Sequence, residues 1–111
     1  MTTIEKCIRD LSDKNYAADG RFPRYWKAAD DLSFMGPAAA APAVPTLIKL
    51  LKSSDIDLRW NSAYALSNMG SVAVSAVPAL ITALNDSHAA VRAEASKALQ
   101  RIAPHLNNLI T

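Results

Sequence analysis

What most constrains this 111-residue chain is that it repeats itself. "AVPTLIKLL" at residues 43–51 and "AVPALITAL" at 76–84 coincide at an offset of 33. At the same offset Leu58 meets Val91, Arg59 meets Arg92, Leu66 meets Leu99 and Met69 meets Ile102. Moving upstream by 34, Trp26 meets Trp60, Ala29 meets Ala63, and Met35-Gly36 meets Met69-Gly70. Self-similarity at this period marks a supersecondary unit that buries its apolar face only by stacking on its neighbours. Units of about 1–36, 37–70 and 71–103 fill the chain as a single domain, with 104–111 left as a C-terminal cap or partial unit.

Each unit reads as two helices. In the second unit Pro45 suits a first helical turn, where its missing N–H costs nothing, and Leu47, Ile48, Leu50 and Leu51 give a helical apolar stripe. "KSSD" breaks the stripe, and Ser54 followed by Asp57 predicts a capping box for the next helix. That helix carries Leu58, Ser62, Ala63, Ala65, Leu66 and Met69 and stops at Gly70, the residue that tolerates positive φ. The third unit repeats the scheme, with Asp86 or Ser87 as the cap. In the first unit Ile4, Cys7, Ile8 and Leu11 form the opening stripe, and a longer connection, "SDKNYAADGRFP", leads to the second helix. No strand pattern is present. The expected fold is all-α, a short right-handed α-solenoid of about three helical hairpins.

The stretches "SSDIDLRWNSAYALSNMG" and "DSHAAVRAEASKALQRIA", with the "AVP" openings, resemble HEAT repeats, and more narrowly the short repeats of phycobilisome lyase-type proteins. The resemblance implies that the second helices line one concave face. It also implies that an Asp ahead of the V-R step pairs with an Arg from a neighbouring unit. Asp86 and Arg92 fit that pattern and Arg59 is retained, whereas the position equivalent to Asp86 in the second unit is Ser53. In the first unit the matching pair is Arg24-Tyr25, so the ladder is incomplete there.

Placing small and aliphatic positions inward leaves the other positions of each second helix facing out. They align in rows: Trp26, Trp60 and Ala93; Lys27, Asn61 and Glu94; Asp30, Tyr64 and Lys97; Phe34, Asn68 and Arg101. Aromatic residues and arginine are enriched at binding hot spots. The expected partner-binding residues are therefore Trp26, Asp30, Phe34, Trp60, Asn61, Tyr64, Lys97 and Arg101, and the expected partner is another protein. Two other readings stay open: the aromatics pack locally, with Tyr16 and Phe22 of the long connection folded over Trp26, or they serve self-association. A homodimer through the C-terminal end is a further option, since Leu106, Leu109 and Ile110 begin a stripe that stops after a turn or two.

Catalytic constellations are not evident. Neither His88 nor His105 has a second His or Cys at ligand spacing, so no metal or cofactor is expected. The paired His-Glu motifs of HEAT-fold hydroxylases are missing, and there is no glycine-rich phosphate loop. Cys7 lies on an apolar stripe, as a small core residue does. Trp60, Asp30 and Arg101 echo the composition of HEAT-fold alkylpurine DNA glycosylases, but the formal charge of +2 is too slight for a nucleic-acid footprint. A subunit or remnant of a lyase-type HEAT protein is the enzyme-related alternative to a non-enzymatic binding module. Nothing reads as a membrane span, and the single cysteine fits a reducing, cytoplasmic setting.

Overall fold

The computed structural model describes residues 2–106, and among these every regular element is helical. Seven α-helices follow in order: α1 Thr3–Asp10, α2 Arg24–Met35, α3 Pro37–Ala40, α4 Val44–Leu50, α5 Ile56–Met69, α6 Val77–Ala83 and α7 Ala89–Ile102. Short 3₁₀ segments occupy Ala41–Ala43, Gly70–Ala76 and Pro104–Leu106. The expectations for Leu109 and Ile110, and for closure of the stack beyond residue 106, lie outside the described residues.

The long helices α2, α5 and α7 lie side by side, and α1, α4 and α6 each pack on the long helix that follows. The repeat explains the core: Leu32, Leu66 and Leu99 are equivalent and all buried, as are Leu47 and Leu80, Ala43 and Ala76, and Ala28, Ser62 and Ala95. The small side chains let neighbouring helices approach closely. Ser62 satisfies its hydroxyl within the helix, donating to the Leu58 carbonyl at 2.7 Å.

Both long helices that end in glycine do so at positive φ, +88° at Gly36 and +64° at Gly70, a backbone state that a side chain would strain. Gly70 also breaks the helical run Ile56–Ala83, which is long and apolar enough to cross a membrane, into separate segments. After each glycine the chain makes more helical turn than the sequence suggested: 37–43 and 70–76 are nearly continuous short helices ahead of α4 and α6.

The caps differ from expectation in detail. Asp55, not Ser54, caps α5, accepting from the Asp57 and Leu58 amides at 2.9 and 3.2 Å. His88 precedes α7 without a side-chain cap, while Asp86 accepts from the His88 amide at 3.0 Å. An unforeseen capping box closes α1, where Thr2 and Glu5 exchange hydrogen bonds.

Candidate protein-binding face

Polar links tie α2 to α5 at two levels and α5 to α7 at one, in a parallel, in-register layer. Near their N-terminal ends the Asn61 amide donates to the Tyr25 carbonyl at 3.0 Å. Towards the other end, Asn68 donates to the Ser33 hydroxyl at 3.1 Å, and Arg101 donates to Ser67 and Asn68 at 3.4 Å each. The row Ser33–Asn68–Arg101 thus crosses all three helices.

At the seams between units, charge does the joining. Arg59 spans Asp86 of the following unit with two nitrogens, at 2.8 and 3.3 Å, and donates a third bond to the Ser53 carbonyl at 2.9 Å. Burial alone would raise the Asp86 pKa, but Arg59 and the His88 amide outweigh it and hold the carboxyl below its ordinary range. Arg92 repeats the main-chain half of this arrangement, donating to the Asp86 carbonyl at 2.7 Å. The neighbour-arginine pairing implied by the HEAT resemblance is therefore present, with Arg59 as the partner of Asp86. In the first unit the connection supplies a substitute that sequence reasoning missed: Lys14 reaches Asp55 at 2.6 Å and Asp57 at 3.5 Å. Lys14 holds Asp55 below the ordinary carboxylate range and is itself raised by it.

The candidate contact residues fall into distinct environments. Trp60 and Tyr64, one turn apart on α5, are half-buried and stacked, with ring centroids 5.3 Å apart and planes 8° from parallel. Trp26 keeps 38% of its surface exposed although Phe22 of the connection packs against it at 4.5 Å. The connection therefore leans on one edge of the aromatic row without covering it, and Tyr16 stays exposed. Phe34 is 83% exposed, an unusual state for a phenylalanine. Asp30 is half-buried, and Lys97 and Arg101 are exposed.

Asn61 departs from the expectation that it faces outward. It is 2% exposed, wedged in the seam with its Oδ1 unpartnered, and is not available to a partner. Glu94, its equivalent on α7, is buried the same way, with Lys97 3.9 Å from its carboxylate. Alignment in rows could not reveal this, because the lateral position of a helix in a layer faces its neighbour rather than solvent. Ser33 and Ser67, absent from the expected contact residues, help to tie the layer together.

Away from this face, a cavity of about 630 Å³ opens between α1, the connection and the start of α2. No member of the aromatic row lines it; among its charges Arg9 pairs with Asp10 and Lys27 with Asp31. Cys7, on its wall, is buried, and that burial is the main cause of its raised pKa.

A layer of parallel long helices, each backed by a shorter one and joined to the next across a charged link, Lys14–Asp55 at one seam and Arg59–Asp86 at the other, defines an all-helical repeat protein. The HEAT-repeat family model matches residues 25–100, more than half of the chain, and the chain belongs to that family. Among solved structures, a crystal structure described as that of an engineered protein shares 30% identity and superposes with a TM-score of 0.69. The match covers 93% of this chain and 46% of the engineered one, so the chain spans under half the length of that relative. No curated protein sequence matches significantly.

Proposed function

We propose that the chain is a short right-handed α-solenoid of about three HEAT units whose second helices form a non-enzymatic protein-binding face. HEAT repeats commonly mediate protein interaction. The observation that carries the reading is the stacked Trp60–Tyr64 pair, half-buried at the centre of a hydrogen-bonded layer and flanked by Trp26 and Phe34. Large flat side chains with few rotatable bonds lose little entropy on contact, and a preformed face keeps the ordering cost of binding low. Asp30 on one flank and Lys97 and Arg101 on the other supply orientation. Cytoplasmic residence is part of the same proposal.

The test is a double variant, Trp60→Ala/Tyr64→Ala, shown first to melt with the wild type. Proteins captured from native lysate by the wild type are identified, purified and titrated against both baits. Loss of binding in the variant alone supports the face; equal binding by both overturns it.

A further inference from the structure

The exposed positions of α2 and α7 are complementary to each other, level by level. At the first level bulky Trp26 on α2 corresponds to Ala93 on α7; at the next, Asp30 corresponds to Lys97; at the last, Phe34 corresponds to Arg101. Size, charge and aromatic–cation preference all match in the same order. The levels are real in space, because the Asn68–Ser33 and Arg101–Asn68 bonds hold α2, α5 and α7 parallel and in register.

We propose that the partner at this face is a second copy of the chain, docked about a two-fold axis parallel to the long helices. This rests on the face being an interface at all. Such an axis lays α5 on the α5 of the second copy and α2 on its α7 without changing level. Trp26 of one copy then meets Ala93 of the other, Asp30 meets Lys97 and Phe34 meets Arg101, each twice, while the Trp60–Tyr64 stacks meet across the axis. An isologous pairing requires this self-complementarity, and an unrelated partner gives no reason for it. Asp30 has no ion-pair partner among the described residues, so its carboxylate is available. The other charges near the contact are accounted for: Lys27 pairs with Asp31, and Glu94 is buried beside Lys97. Helices of 12 to 14 residues give a face of about 500–600 Å² per partner, below the roughly 800 Å² of a standard interface, so the dimer is reversible and concentration-dependent.

The two-fold symmetry makes an unusually specific test. Asp30→Lys alone sets two lysines against each other at the middle level, and Lys97→Asp alone sets two aspartates there. Mixed one to one, the two variants can form a heterodimer. In the two-fold arrangement one contact sets the introduced lysine against the introduced aspartate, and the other restores the native Asp30–Lys97 pair. Sedimentation equilibrium up to about millimolar protein should show a wild-type dimer, each variant weakened at least about tenfold, and recovery on mixing. Recovery also shows that both variants are folded. A wild type that stays monomeric overturns the second-copy assignment while leaving the protein-binding face to its own titration. A dimer that survives both charge reversals but is lost in Trp60→Ala/Tyr64→Ala overturns the two-fold arrangement and keeps the face. A dimer insensitive to all of these places the interface elsewhere and overturns the assignment.

Discussion

The two seams between long helices are built from the same repeat and close in different ways. Between α5 and α7 the contact is made by fully buried side chains, Leu66, Leu99, Ala95 and Ala98 among them, and sealed by the Arg59 fork on Asp86. Those two charged side chains are only 13% and 9% exposed. Between α2 and α5 the contact leans on single hydrogen bonds, Asn61 to Tyr25 and Asn68 to Ser33, and on Lys14 reaching in from a loop. Arginine in a helix presents a planar fork already aimed at the carboxylate, whereas lysine is a hydrated point charge on a flexible stem. In a stacked protein each interface adds its own increment of stability, so the α2–α5 seam should open first. Amides of α1 and α2 should exchange with deuterium well before those of α5 and α7; the reverse order would end the comparison.

The largest effects should come from the shared core. Leu66 and Leu99 are both fully buried, and Leu66→Ala or Leu99→Ala should cost about 2–5 kcal/mol. A thermal or urea melt that registers neither loss would break the repeat alignment itself. Next comes the charged link. Arg59→Met strands the Asp86 carboxylate with the His88 amide alone and leaves the Ser53 carbonyl short of a donor, which should cost about 2 kcal/mol. The corresponding change at the other seam, Lys14→Met, should fall well below that, since the pair is open to water and screened by salt. Equal losses from the two variants would show that the loop lysine matches the fork in strength.

Much of this architecture is legible in the sequence, and the reason is periodicity. Leu47 and Leu80, or Leu66 and Leu99, announce the core because burial selects the same residue type at the same step of each unit. Gly36 and Gly70 mark helix ends because positive φ penalises every side chain but hydrogen. The candidate face is legible only in part. Trp60, Tyr64, Phe34 and Trp26 stand out because large aromatics outside the apolar stripe need a reason to be there. Asn61 misleads, since a polar residue is read as outward unless the lateral packing of helices is known. Lys14 could not be found at all: its partners lie 41 and 43 residues away, and it sits in the one connection that the repeat does not predict. Aperiodic pieces that make long-range contacts leave no trace in a pattern built from neighbours.

The smallest effect is also the one that separates the seams most cleanly, because their charged partners titrate at different ends of the pH scale. Asp86 and Asp55 both have lowered pKa values, so the stability that they confer is present above the ordinary carboxylate value of 3.8 and is lost as pH falls through their lowered values. Acid therefore weakens both seams. Base distinguishes them. Lys14 has a raised pKa, so its contribution is complete below the ordinary value of 10.5 and disappears as pH climbs through the raised one, whereas a guanidinium is not a base that this range neutralises. Burial raises Cys7 and Tyr25 as well, and both belong to the first unit, so their ionisation in strong base costs stability on the same side of the molecule. Melting-temperature differences measured from pH 7 into the alkaline range should follow suit. The gap between wild type and Lys14→Met should close as Lys14 loses its proton, and the gap to Arg59→Met should persist. If the Arg59→Met gap closes in parallel, the strength of the α5–α7 seam does not come from its arginine, and the contrast between the two seams must lie in their apolar packing alone.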